Sequence, residues 1–275
     1  MNALPNANQA LWEKGDFTRI ADYMRDSGEA LVRAIGVLPG FSVLDLGCGD
    51  GTTAIPAAQM GANVLGVDIA RNLVAAGNSR AASLGLRHCR FEQGDARNLS
   101  AIGDDSFDLV ISIFCAMFAP DPVSVAQEMV RVTRPGGRIV MGNWIPGDPT
   151  LIAQILKISA AYSPPTPVGF VSPMSWGDVD EVRARFTAAG IPARNIAFQK
   201  DAYVFKHRGS PRDFLATMRS YYGPMMNAFA AAETSGKADE LQGALETLFD
   251  SQNVSGQADE TLIRANFLRV TVSVP

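Results

Sequence analysis

The segment Val43-Leu44-Asp45-Leu46-Gly47-Cys48-Gly49-Asp50-Gly51-Thr52 carries the most specific chemistry in the chain. A hydrophobic run ends in an acid, a GxGxG loop follows, and a helix begins. Glycines let a backbone turn sharply and let a ligand approach it closely. The N-terminus of a helix offers unpaired N–H groups to a polar ligand. The spacing narrows the choice of ligand. A dinucleotide fingerprint reads GxGxxG or GxGxxA. Here the sixth position counted from Gly47 is Thr52, and the third glycine comes one place early, at Gly51. The GK[ST] ending of a P-loop is absent.

The elements that would position this loop alternate along the chain. An amphipathic helical region comes first, with Phe17, Ile20, Ala21 and Met24, then Ala30, Leu31, Ala34 and Ile35, at three-to-four spacing. Pro39-Gly40 ends it. Strands are expected at Ser42–Leu46, Asn63–Asp68, His88–Glu92, Phe107–Phe114 and Arg138–Met141, with Pro135-Gly136-Gly137 as a turn before the fifth. Helices are expected between them, over Thr53–Met60, Arg71–Leu84 and Val123–Val132. The fourth run is apolar almost throughout, as a strand buried on both faces requires. Such alternation implies a parallel sheet covered by helices. Beyond residue 150 the pattern predicts helices at Leu151–Tyr162, Val179–Ala189, Pro211–Ala232 and Ala238–Ser251. It predicts a Pro-rich loop over Ser163–Met174 and late strands at Asn195–His207 and Phe267–Val274. The fold class is therefore α/β: a Rossmann-like, doubly wound, seven-stranded, mostly parallel sheet with N-terminal helices and a helical cap inserted before the last strand. The expected organisation is one integrated domain, with helices over 1–38, a binding core over 39–150, and the cap plus final strands over 151–275.

The loop resembles motif I, (D/E)xGxGxG, of class I S-adenosylmethionine-dependent methyltransferases. Phe107-Asp108-Leu109-Val110-Ile111 resembles that family's fourth-strand motif, and Arg134-Pro135-Gly136-Gly137-Arg138 the turn before its fifth strand. The likeness covers about residues 40–145, half the chain. It implies S-adenosylmethionine as cofactor and S-adenosylhomocysteine as product. The family pattern falls on Asp45, Gly47, Gly49 and Gly51 for the methionine part. Asp68, 23 residues after Asp45, falls at the ribose position, where a carboxylate can accept both hydroxyl hydrogens. Asp95, with the N–H of Ala96, falls at the adenine position, and Ile69 would pack on the adenine face. Asp45 and Asp95 could instead serve turns, and Asp68 could cap the following helix.

Other candidates are less determined. Cys115 follows the fourth strand, where some nucleic-acid C5-methyltransferases place a nucleophilic cysteine after proline. Phe114 precedes it here, so pocket lining is the expectation. Ser163-Pro164-Pro165-Thr166 superficially resembles the (D/N/S)PP(Y/F) motif of amino-methylating nucleic-acid enzymes. It follows the fifth strand and ends in Thr, and it reads as loop. His207, at the end of a late strand, and Tyr221 and Tyr222 are candidate catalytic groups. Trp144 and the two tyrosines are candidates for the acceptor pocket. Trp12 and Phe17 read as core, with folding over the cofactor as the alternative.

Composition limits the function classes. Hydrophobic residues make up 47% of the 275 and charged residues 19%, which supports a folded core and excludes disorder as the main state. A formal net charge of −4 gives no global basic field, so no nucleic-acid partner is expected. Met1–Trp12 has no basic n-region or apolar h-region, and the longest apolar stretch, Leu109–Ala119, is too short to span a bilayer. A cytoplasmic location and no membrane partner are therefore expected. Three cysteines without a CxxC argue against a disulfide framework or cysteine zinc site, and no metal is expected. The expected activity is methyl transfer from S-adenosylmethionine to a small apolar molecule. The alternatives are an RNA or protein methyltransferase and a non-catalytic cofactor-binding protein on the same fold.

Overall fold

The computed structural model describes residues 7–163 and 170–275. Its centre is one seven-stranded sheet in the order β3-β2-β1-β4-β5-β7-β6. The strands are β1 (Ser42–Leu46), β2 (Asn63–Asp68), β3 (Cys89–Gln93), β4 (Phe107–Ile113), β5 (Thr133–Trp144), β6 (Ile196–Arg208) and β7 (Glu260–Ser273). β1 to β5 pair in parallel, and β7 runs antiparallel to both of its neighbours. Val43, Leu44, Leu109, Val110 and Ile111 are buried, as expected of central strands covered on both sides.

Eleven helices flank the sheet among the described residues: α1 (Ala7–Glu13), α2 (Thr18–Ala21), α3 (Arg25–Ile35), α4 (Ala54–Gln59), α5 (Arg71–Ser83), α6 (Pro122–Val132), α7 (Leu151–Ala160), α8 (Val179–Ala188), α9 (Pro211–Tyr221), α10 (Gly223–Thr234) and α11 (Ala238–Gln252). No helix among the described residues is long and apolar enough to cross a membrane.

Three expectations need correction. The single late helix over Pro211–Ala232 is two, broken at Tyr222, whose ψ of 106° is extended. Pro224 sits in the first turn of α10, where a missing N–H costs nothing. Gly223 lets the chain pass close to α1: a Cβ there would stand 2.4 Å from the carbonyl oxygen of Leu11. The turn at Pro135-Gly136-Gly137 lies inside β5, because the residue that follows β7 supplies partners there. The Gly136 N–H donates to Val274 O at 2.9 Å, and the Val274 N–H to Gly137 O at 3.0 Å. The last strand starts at Glu260 rather than Phe267, since every residue from Glu260 to Val272 meets a partner on β6. Of the Ser163-Pro164-Pro165-Thr166 motif, all but Ser163 lies outside the described residues.

The N-terminal helices are tied to the sheet by charge. Asp50, in the glycine loop, is 2% exposed. Arg25, the first residue of α3, donates to Asp50 Oδ1 at 2.8 Å, to Oδ2 at 2.5 Å and to Thr52 Oγ1 at 2.6 Å. Arg80 of α5 lies 3.5 Å from the same carboxylate. Breaking a buried pair strands a charge, at a cost of roughly 3–5 kcal/mol. Arg80 remains and Arg25 is partly exposed, so Arg25→Met should cost less, about 2–3 kcal/mol in urea unfolding. Adding Asp50→Asn should return most of that loss.

Candidate functional site

The C-terminal ends of β1, β2 and β4 meet at three adjoining cavities. The central one, about 630 Å³ including its open mouth, is bounded by Gly47, Cys48, Gly49, Asp50, Thr52, Thr53 and Asp68 from the loop and β2. Ile113, Phe114 and Cys115 close it from β4, Tyr203 from β6, and Trp12, Phe17, Ala21 and Met24 from the N-terminal helices. A second cavity, about 330 Å³, shares Gly47, Asp68 and Cys115 with it and adds Ile69, Asp95 and Ala96. A third, about 340 Å³, shares Trp12, Phe17, Met24 and Phe114 with the centre. It adds Phe118, Trp144, Ile152, Phe205, Met218 and Tyr222.

The loop conformation requires its glycines. Gly47 has φ +74°, and a Cβ there would lie 1.9 Å from Cys115 Sγ. Gly49 has φ +53° and open space where a Cβ would point. Its N–H donates to Asp68 Oδ2 at 2.8 Å, while Asp68 Oδ1 accepts from the Ala70 N–H at 2.9 Å. Asp68 thus orders both the loop and the entry to α5. Burial pushes its carboxyl up from the usual range, and the N–H groups of Ala70 and Gly49 work against that push.

Asp45 and Gly51 stand apart from the other expected loop residues, since neither borders a cavity. The Gly51 N–H turns back to Cys48 O at 2.9 Å, and a Cβ there would meet Ile55 and Phe91 in the core. Asp45 is 1% exposed beneath the loop. Its Oδ2 accepts from the Thr53 hydroxyl at 2.5 Å, and its Oδ1 has no partner among the described residues. Burial pushes the carboxyl up to about 7, against the hydrogen bonds from Thr53 and the Ala54 N–H. The Asp68 charge pushes the same way as burial. Asp95 faces the second cavity and is held by Arg97, 2.6 Å from Nη2 to Oδ2.

The third cavity is aromatic. Phe114 stacks on Trp144 with ring centroids 3.6 Å apart, and Trp12 meets Phe118 edge-on at 5.0 Å. Tyr222 and Trp144 both border it. Tyr221 does not: it is 37% exposed and lines none of the three. His207 is also elsewhere, packed against Tyr23 at 4.9 Å and Phe214 at 5.8 Å. It ends up there because β6 continues past the cavities before turning at Gly209. Neither residue is placed to act on a ligand in the cavities. The side chains missed from sequence are Arg25, Phe114 and Tyr203. Tyr203 alternates with Phe205 on β6 as a plain inward-facing strand residue does, so its periodicity signals burial and nothing more. Among the described residues, no cluster of three His, Cys, Asp or Glu could hold a metal ion.

Comparisons with known proteins bear on this geometry. A family profile described as "Methyltransferase domain" matches residues 44–141. An uncharacterized protein of Mycobacterium tuberculosis is 32% identical over 230 residues, 83% of this chain and 81% of its own. Another from that organism is 40% identical over 142 residues, so the chain spans about half the length of the first curated relatives it matches. The nocamycin O-methyltransferase of Saccharothrix syringae is 34% identical over 46% of this chain and 45% of its own. Among solved structures, phosphoethanolamine N-methyltransferase 2 of Haemonchus contortus superposes with a TM-score of 0.61 at 15% identity. That match covers 98% of this chain and 61% of the other. The chain belongs to the class I S-adenosylmethionine-dependent methyltransferase family. In this family member the glycine loop, Asp68 and the Ile69-to-Ala96 wall form one continuous lining across two cavities.

The buried Asp45 makes stability depend on pH. Its folded pKa, about 7, lies above the unfolded value near 3.9. The proton therefore favours the folded state, fully below pH ~4, and that stability is lost as pH rises through 7. At 1.36 kcal/mol per unit the span is of order 4 kcal/mol. Asp45→Asn removes the ionised form. Its melting temperature should gain on that of the parent between pH 5 and pH 8, as followed by circular dichroism. A constant difference across that range would contradict the assignment.

Proposed function

We propose that the protein transfers a methyl group from S-adenosylmethionine to a small, apolar acceptor molecule. The observation that carries the reading is the run of three adjoining cavities, polar at one end and aromatic at the other. Their linings fit the cofactor. Gly49 leaves open space beside the loop, where a Cβ would otherwise intrude. Asp68 keeps lone pairs on both oxygens for a ribose diol after receiving its two backbone N–H groups. Ile69 offers an apolar face for adenine, with Asp95 and Ala96 beside it. Asp45 and Tyr203 each hold a buried polar atom with no partner among the described residues, which is costly unless a ligand or its shell meets it.

When bound, the cofactor supplies an electrophilic methyl group on a sulfonium. The chain's contribution is alignment and exclusion of water. Trp12, Phe17, Met24 and Phe114 border both the central and the aromatic cavity, so they bound the passage between donor and acceptor. The aromatic cavity presents no carboxylate, imidazole or amine among its described residues; its one ionisable group is the phenol of Tyr222. Burial pushes that phenol up, so it stays protonated and donates a hydrogen bond rather than removing a proton. The acceptor atom therefore brings its own lone pair, or a proton that leaves without a strong protein base. An apolar recess lined by aromatic rings suits a small molecule rather than an RNA or protein chain. The name of the Saccharothrix relative supports the same class.

Incubation with methyl-labelled S-adenosylmethionine and a cell extract, followed by fractionation, tests the reading. Label is expected in the organic-extractable small-molecule fraction, and label confined to protein or RNA would overturn it. Calorimetry should show binding of S-adenosylmethionine and S-adenosylhomocysteine and none of NAD. Asp68→Ala removes a charged acceptor from two hydroxyls, each such bond contributing roughly 1.5–3 kcal/mol. Affinity for either adenosyl ligand should then fall at least ~10-fold.

A further inference from the structure

Tyr203 is the residue of the site with no function in the account so far. Its side chain comes from β6, far in sequence from the glycine loop, yet it borders the central cavity. The residue is 1% exposed, and its hydroxyl has no partner among the described residues. The ring is fixed edge-on by Phe114 at 4.9 Å and by Phe267 at 5.9 Å. A buried hydroxyl held without a partner is a standing cost for a folded chain.

The position of that hydroxyl can be read from Gly28 on α3. A Cβ on Gly28 would stand 3.0 Å from the Tyr203 hydroxyl and 2.5 Å from Thr52 Cγ2. The hydroxyl therefore lies where α3 meets the last residues of the loop. The order of the cavities then fixes which end of a ligand it meets. Ile69, Asp95 and Ala96 border only the second cavity, Asp68 borders both, and Tyr203 and Thr52 border only the central one. A ligand with its adenine at Ile69 and its ribose at Asp68 carries its far end toward Tyr203.

That far end is an amino acid, with a carboxylate and an ammonium. A phenol whose pKa burial raises remains an O–H donor at neutral pH, and a donor meets the carboxylate. The nearest cation does not compete for it. Arg25 is held by both oxygens of Asp50 and by Thr52. The indole N–H of Trp12 also has no partner, but Trp12 borders the aromatic cavity as well, on the acceptor side.

We propose that the Tyr203 hydroxyl is the side-chain donor that binds the carboxylate of the cofactor's amino-acid end and so selects for ligands that carry it. This rests on the cofactor reading above. The test is calorimetry on the full chain and its Tyr203→Phe variant, which keeps the ring and its packing. Three probes are used: S-adenosylhomocysteine, decarboxylated S-adenosylmethionine and methylthioadenosine. The variant should bind S-adenosylhomocysteine about 10-fold or more weakly, as expected for a hydrogen bond to a charged group. It should bind the other two, which lack the carboxylate, within about twofold of the parent. The methylthioadenosine result also certifies that the variant is folded. Equal weakening toward all three would make Tyr203 a structural residue and overturn the proposal. Unchanged affinity for S-adenosylhomocysteine would overturn it too. Failure of the parent chain to bind S-adenosylhomocysteine would instead bring down the cofactor reading itself.

Discussion

The carboxylate of Asp50 decides whether the cavities have a roof. The helices α1 to α3 contribute no strand to the sheet, so no ladder holds them in register. The bidentate pair between Arg25 and Asp50 does, and the third hydrogen bond from Arg25 to Thr52 fixes the angle. At 2% exposure Asp50 sits where water screens little, and loss of its cation is expensive. A second tie, between Glu13 and Arg71, holds the Glu13 carboxyl down at about 2, with the Arg71 hydrogen bond as the main cause. It lies near the surface, where such pairs contribute little. The buried pair, together with the Ser27 hydroxyl that bonds both the carbonyl and the N–H of Val204 on β6, ties α3 beside the loop that Ala21, Met24, Phe17 and Trp12 cover. A carboxylate inside the glycine motif does more than shape the loop, since it also recruits the helix that covers it.

The readable part of the sequence is local. The GxGxG loop, the two acids at strand ends and the apolar fourth strand each declare themselves within a few residues. Their spacing singled out Gly47, Gly49, Asp68, Ile69, Asp95, Ala96 and Cys115, which border the central and second cavities. The illegible part depends on partners distant in the chain. The extension of β7 back to Glu260 follows from its pairing with β6, and nothing in Glu260–Asn266 announces that pairing. Tyr203 reaches the cavity because the antiparallel β6–β7 pair adds to the far side of β5. The break at Tyr222 reflects the close passage of Leu11, more than two hundred residues away in sequence. Gly51 looked like its neighbours in the motif, but its side-chain direction depends on where Ile55 and Phe91 pack.

Stability and binding draw on the same atoms. Asp45 Oδ1, the Tyr203 hydroxyl and the Trp12 indole N–H are all buried without partners among the described residues. A chain optimised for stability alone would replace such groups with apolar ones of the same shape. The Tyr203 and Trp12 groups border the central cavity, as in a binding site before its ligand, because a ligand that satisfies them binds only the folded state. By mass action such a ligand also raises the stability of the whole chain.

Phe114 carries this logic into the backbone. Its φ of +59° lies in the left-handed region, which a bulky residue rarely adopts. Strain of this kind costs roughly 1–3 kcal/mol. Three ring contacts, a stack on Trp144 and edge-on contacts with Tyr203 and Phe267, each contribute about 0.5–1.5 kcal/mol beyond burial and offset it. The Phe114 N–H also keeps its partner, Gly142 O, at 2.8 Å. Glycine would adopt the same turn without strain, but it would leave no ring between the central and the aromatic cavity. The turn also aims the next residue, Cys115, at the face of Gly47, and that contact excludes any side chain at Gly47. One strained residue therefore sets both the wall of the aromatic cavity and the floor of the loop.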